Sequence, residues 1–185
     1  MNYNILVINP GSTSDDIGYY RNLQTVFEVR LEYSAKDIAP YVNKNVTEMA
    51  PLKEKIILSC LKDHNVDLKE IDVVIGRGGL TKPTEGGTYY INDLMVEDLT
   101  YRALGTHPCN LGAILARDIA KKAGCLSIIT DPEVTDEMLP EAKYTGMPDI
   151  KRVPIFHSLS QRRVGYLAAK EIGKPYEQCR FVVMH

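Results

Sequence analysis

The chain has 185 residues, enough for one large domain or one and a fraction, with 44% hydrophobic and 25% charged residues as in an ordinary globular protein. A formal net charge of -2 gives no electrostatic argument for nucleic acid or an anionic membrane as partner. No run reaches transmembrane length and the N-terminus enters a strand without a signal peptide's basic and apolar regions, so no membrane partner and a cytoplasmic location are expected.

Ile5 to Ile8 is an apolar, β-branched run suited to a buried strand. Asn9-Pro10-Gly11 should break it, because Pro10 removes a ladder donor and Gly11 admits positive φ and a close ligand. Ser12, Thr13 and Ser14 follow. Hydroxyls and free backbone N–H groups at a tight turn suit a phosphate or a hydrated magnesium ion, and equally an ordinary polar turn. Ile17–Tyr20 and Thr25–Glu32 read as two further strands joined at Arg21–Gln24, which makes an antiparallel three-stranded meander. Ser34 is the expected N-cap of a short helix through Ile38, and Thr47–His64 is amphipathic through Leu52, Ile56, Ile57, Cys60 and Leu61.

Ile71–Ile75 is the next buried strand and runs into Gly76-Arg77-Gly78-Gly79. A glycine- and proline-rich loop, a short strand near Tyr89–Ile91 and a helix capped by Asn92 or Asp93 and running to about Leu104 come next. Cys109–Ala123 is a helix with Gly112, Ala113, Ala116 and Ala120 on one side, suited to close packing on a sheet and stopped by Gly124. Leu126–Thr130 is a strand closed by Asp131-Pro132. Ile155–Ile172 reads as a helix with His157 in its first turns, and Cys179–Met184 as a final apolar strand. The alternation predicts a mixed α/β layer fold with helices covering the sheet. Cys60, Cys109, Cys125 and Cys179 are widely spaced without a CxxC pair, which fits reduced thiols better than a disulfide frame or a zinc site.

The polar residues gather at strand ends. The first strand ends in Asn9, Ser12 and Ser14, the second buried strand in Arg77, and Leu126–Thr130 in Asp131. Ligands of open α/β sheets sit beyond the carboxyl ends of strands. A hydroxyl loop, a guanidinium and a carboxylate there suit a phosphoryl group, its metal and an anionic acceptor. Arg77 can grip carboxylate or phosphate in a fork, or be a surface arginine in a flexible loop. Asp131 reads as a turn former or as a magnesium ligand. His107 and His157 would stabilise transferring charge if they face the site, and Arg162-Arg163 reads as a solvated helix face. There is no GxxxxGK[ST] or GxGxxG signature, and no GxSxG elbow.

VINPGSTS, VIGRGGLTKPTEGGTYYIN, THPCNLGAILARDIAKKAG, ITDPEVTDE and PIFHSLSQ, in this order, resemble the butyrate kinase branch of the acetate kinase family over essentially the whole chain. The resemblance implies the sugar kinase/Hsp70/actin type of fold, with two ribonuclease H-like domains. It also implies reversible phosphoryl transfer from ATP to a short-chain fatty carboxylate, with Mg2+. It would assign Asn9, Gly11, Ser12, Thr13 and Ser14 to the first phosphate loop, with Ser14 at the metal. Arg77 would be the substrate-side arginine and His107 the loop histidine near the acceptor. Asp131 would organise magnesium or the acceptor, and His157 would stabilise the transition state. Residues 1–177 would form the first ribonuclease H-like domain and 178–185 the opening strand of a second, missing domain. A homodimer or larger assembly is implied too.

Two departures stand out. Asp15 and Asp16 occupy positions where the family has a small or polar residue and then Lys, which is expected to reverse the local field beside the phosphate loop. The glycine-rich second phosphate loop that follows the last strand in the family is absent from this chain. Two functions are therefore carried forward: the acceptor-side half of a carboxylate kinase, and a non-catalytic truncated relative serving as an interaction or dimerisation module.

Overall fold

The computed structural model describes residues 2–184 and contains two compact units: residues up to Lys82 with Gly87–Thr130, and Pro83–Gly86 with the chain from Asp131 onward.

The first unit is built on a mixed six-stranded sheet. Its strands are β1 (Asn4–Pro10), β2 (Ser14–Arg21), β3 (Gln24–Glu32), β4 (Val73–Gly76), β5 (Thr88–Tyr90) and β6 (Leu126–Thr130), in the order β3-β2-β1-β4-β6-β5. β1, β2 and β3 form the expected antiparallel meander, and Asn22 (φ 55°) makes the left-handed turn between β2 and β3. β1, β4 and β6 run parallel, which requires crossover connections, and helices provide them. Helix α1 (Ala35–Ile38) starts at a Ser34 capping box closed by Asp37. Helix α2 (Ala50–Asp63) lies between β3 and β4; α3 (Asp93–Tyr101) and α4 (Asn110–Ala123) precede β6. Asn92 caps α3 by accepting from the Met95 amide, and Gly124 (φ 75°) ends α4 in the left-handed conformation.

The core lies on one face of this sheet. Leu6, Ile8, Val74 and Ile129 pack there with Ile57 and Leu61 of α2 and Leu111, Leu115 and Ile119 of α4. Burying each of these large apolar side chains stabilises the fold by about 1.5–3 kcal/mol. The alternate residues Ile5, Val7, Val73 and Ile75 are only half-buried. Helix α4 lies against β4 because both are glycines where they meet. A Cβ on Gly112 would sit inside contact distance of the Arg77 carbonyl, and one on Gly76 would strike the backbone of Gly112.

Several boundaries differ from the sequence expectations. Pro10 does not break β1; it is its last residue and pairs with Asp15, so the loop shrinks to Gly11–Thr13. The pairing of β1 with β4 ends at Ile8 and Gly76, so the N–H that Pro10 lacks is not needed by that ladder. Helix α3 stops at Tyr101 rather than near Leu104.

The second unit holds helix α5 (Ser158–Glu171), which begins after His157 rather than at Ile155. Within this unit Thr84 bridges Thr135, and the Phe156 amide donates to the Glu133 carbonyl. Cys179–Met184, expected as a strand, is not one. An isolated apolar segment has no ladder to satisfy its backbone, and here Phe181 stacks on Tyr176, with ring centroids 6.2 Å apart. No helix among the described residues is long and apolar enough to cross a membrane.

Candidate functional site

The parallel register aligns three strand ends: Ile8 pairs with Gly76, and Gly76 with Ile129. Asn9, Arg77 and Thr130 therefore follow at one level of the sheet. Asn9 and Arg77, both expected at the site, are in contact: a guanidinium N–H of Arg77 donates to Asn9 Oδ1 at 3.1 Å. The Arg77 amide donates to the Ile8 carbonyl at 2.9 Å, so its backbone continues the sheet before the glycines turn it away. Asn9 Nδ2 donates to Asp16 at 3.4 Å, and Arg30 donates to both oxygens of Asp16, at 2.7 and 3.2 Å. This Arg30 fork, with help from Asn9, holds the Asp16 carboxyl below the usual carboxylate range against a smaller opposing effect of burial.

The loop of hydroxyls follows directly. Ser12 and Thr13 are exposed, and Gly11 and Ser14 are half-buried. Asp15 points inward and is fully buried against Lys53 of α2, which is also fully buried; Nζ and Oδ1 are 2.5 Å apart. The expected field reversal is thus corrected. Each of the two carboxylates meets a cation of the same unit, Lys53 for Asp15 and Arg30 for Asp16.

His107 lies exposed just ahead of α4, where its Nδ1 accepts from the Cys109 amide at 3.2 Å. A neutral ring in that arrangement carries its proton on Nε2 and can donate from there. The buried Asn110 ties the neighbouring loops together. Its Oδ1 accepts from the Leu80 amide and its Nδ2 donates to the Gly105 carbonyl, both at 2.9 Å. Sequence reading missed Asn110, although a polar residue at the start of an otherwise apolar helix face is a signal of such a tie.

Asp131 and His157 belong to the second unit. Asp131 adopts φ 41° and is 9% exposed, an uncommon backbone state for a non-glycine residue. Its Oδ1 accepts from Arg162 at 2.6 Å, and Arg162 also pairs with Glu137. The two carboxylates, with Glu137 contributing most, hold the Arg162 guanidinium more firmly protonated than usual. Arg162 is therefore not the solvated residue expected of the Arg162-Arg163 run. Ser158 Oγ donates to the Asp131 carbonyl at 3.3 Å, so the start of α5, with the exposed His157, lies beside Asp131. No group of three or more His, Cys, Asp or Glu side chains among the described residues is placed to hold a metal ion.

The chain is 55% identical over 185 residues, its full length, to a probable butyrate kinase of Elusimicrobium minutum, and covers 50% of that protein. It is 42% identical over 183 residues to butyrate kinase 1 of Clostridium acetobutylicum, covering 99% of this chain and 51% of that one. The similarity to these butyrate kinases runs along the whole of this chain. The chain spans about half the length of the curated relatives it matches. No protein-family model matches it. The fold is that of the acetate kinases. Acetate kinase from Porphyromonas gingivalis superposes with a TM-score of 0.65 at 18% identity, over 96% of this chain and 51% of that one. A propionate kinase from Francisella tularensis gives 0.60 at 14% identity, over 93% and 50%. These show the α/β fold shared with acetate and propionate kinases that the resemblance implied.

Proposed function

We propose that the chain is the N-terminal, acceptor-side half of a short-chain carboxylate kinase that transfers a phosphoryl group between ATP and butyrate or a related short or branched fatty acid. Full-length similarity to butyrate kinases supports this, and so does the contact between Asn9 and Arg77 at the ends of two adjacent parallel strands. Phosphoryl transfer needs positioning and charge neutralisation more than a covalent intermediate. In this reading the guanidinium of Arg77, steadied by Asn9, grips the anionic acceptor. The hydroxyls of Ser12, Thr13 and Ser14 with the Gly11 turn receive the phosphoryl group, and His107 donates from Nε2 toward developing charge. Asp131 and His157 take the metal-organising and charge-stabilising roles, and Ser14 and Asp131 are the groups assigned to Mg2+, which would neutralise phosphate charge. Divalent magnesium is commonly held by one or two protein oxygens together with phosphate oxygens. The division at residue 177, a cytoplasmic location and a homodimeric or larger assembly belong to the same reading.

Titration of the 15N-labelled chain with sodium butyrate tests the acceptor half of this proposal. The Arg77 Nε–Hε resonance and the Asn9 side-chain amide should shift saturably with butyrate and not with n-butanol. Equal response to the uncharged alcohol, or none to butyrate, would remove the carboxylate assignment.

A further inference from the structure

Lys53 is a fully buried ammonium group with no part in the assignments above. It sits on the apolar stripe of α2, one turn before Ile57 and two before Leu61, where an aliphatic residue would pack more cheaply. Burial disfavours its charged form, lowering its affinity for the proton, while the Asp15 carboxylate opposes that shift. Its partners are specific. Nζ donates to Asp15 Oδ1 at 2.5 Å and to the Gly11 carbonyl at 3.0 Å, and lies 4.1 Å from the centre of the Tyr33 ring. Asp15 is held in turn by the Tyr33 hydroxyl at 2.5 Å and by the Gly11 amide at 3.1 Å.

The consequence appears in the loop's carbonyls. Those of Gly11, Thr13 and Ser14 all accept hydrogen bonds from the unit itself: from Lys53, from the Tyr33 amide at 2.9 Å, and from the Gly11 amide at 2.8 Å. An anion is repelled by carbonyl lone pairs and attracted by amides and hydroxyls. A loop with these three carbonyls tied down, and with Ser12 and Thr13 exposed, is set for an anion before one arrives.

We propose that Lys53 and Asp15 are positioning residues for the Gly11–Ser14 loop. Lys53 holds the Gly11 carbonyl inward and Asp15 holds both Lys53 and the Gly11 amide, which fixes the first turn of the loop so that its outer face can take a phosphate or phosphoryl group, while Lys53 itself never touches the ligand. This rests on the reading of that loop as a phosphate loop. It places the loop's cation in helix α2, reached through the interior, and gives Asp15 a purpose that its place beside an anion site would otherwise oppose.

The test uses inorganic phosphate as probe, the 15N-labelled chain, and the double variant Lys53→Met/Asp15→Asn. Removing both charges leaves no uncompensated buried ion, so the double variant should fold with a urea midpoint near the parent's. Its Gly11 carbonyl has nevertheless lost its donor. Phosphate should shift the Ser12–Ser14 amides of the parent saturably, and should bind the double variant about tenfold or more weakly. Tyr33→Phe, which takes one hydrogen bond from Asp15 and leaves the buried ion pair intact, should weaken phosphate binding in the same direction by a smaller factor and stands in if the double variant does not fold. A merely structural role predicts that phosphate binding returns with stability. Undiminished phosphate binding in a folded variant, with the parent binding, overturns the positioning proposal and leaves the phosphate loop standing. Loop amides that ignore phosphate in the parent overturn the phosphate-loop reading and the proposal that rests on it.

Discussion

Gly112→Ala should destabilise the chain although it places the best helix former inside a helix. Replacing an interior helical glycine by alanine ordinarily gains about 1 kcal/mol. Here the added Cβ meets the backbone of Arg77: it would overlap the carbonyl oxygen and lie 2.9 Å from the carbonyl carbon and 3.1 Å from the amide nitrogen. None of these is the end of a flexible side chain, so the clash is relieved only by moving α4 away from the end of β4. Overpacking of this kind costs roughly 1–3 kcal/mol, and parting α4 from the sheet also loosens Leu111 and Leu115, which are fully buried. With rigid backbone as the obstruction the cost falls in the upper part of that range, about 2–3 kcal/mol, so the propensity gain of about 1 kcal/mol leaves a net loss of about 1–2 kcal/mol, against a domain stability of about 5–15 kcal/mol. Urea unfolding followed by far-UV circular dichroism reads the loss as a lower midpoint at unchanged slope. Because the obstruction is the backbone of Arg77, its amide resonance should shift even where the fold is retained. A variant as stable as the parent, or more so, would refute the claim that glycine at 112 is what lets α4 lie against the end of β4.

Asn110→Ala leaves the Leu80 amide and the Gly105 carbonyl without their side-chain partner and should cost about 2–3 kcal/mol in urea unfolding. Burial and the neighbouring Asp15 carboxylate push the Tyr33 hydroxyl well above the usual tyrosine range. The folded state thus retains this proton after the unfolded state begins to lose it, so the stability it contributes is complete below pH 10 and falls as pH rises beyond. Tyr33→Phe should flatten that alkaline decline without abolishing it, since Tyr20, partly desolvated and beside Glu28, is also raised, to about 12. A decline of unchanged steepness would count against a coupled Tyr33. Gly124→Ala introduces a side chain at φ 75° into otherwise open space and should cost about 1 kcal/mol in thermal or urea unfolding, through backbone strain alone.

What the sequence revealed was governed by local chemistry. The Ser34 cap, the cap at Asn92 or Asp93, the Gly124 stop and the β-branched Leu126–Thr130 run each depend on residues within a few positions of one another, and each has its counterpart in the structure, with Asn92 as the second cap. The β1–β2–β3 meander was legible from strand length and a short polar turn. What escaped depended on distant partners. Lys53 reads as an ordinary charge on an amphipathic helix until Asp15, 38 residues earlier, is brought against it. Its placement four residues before Ile57 and eight before Leu61 was the one available hint. Arg162 likewise took its meaning from Asp131 and Glu137. Cys179–Met184 shows the converse: strand propensity is present, and the segment is paired with no strand. At the site, Asn9 and Arg77 could be named from strand ends and motif resemblance, but their contact follows from the parallel register of β1 and β4, which a lone sequence does not state.

The most direct test is an ADP-release assay on the natural gene product, supplied with ATP, Mg2+ and butyrate, isobutyrate or acetate, beside the same product carrying Arg77→Ala. The account predicts acid-dependent ADP release with formation of an acyl phosphate, lowered about 100-fold or more in kcat/KM by the substitution, as removal of a bidentate charge clamp on the acceptor requires. ADP release indifferent to the acid, or full activity without Arg77, would contradict it.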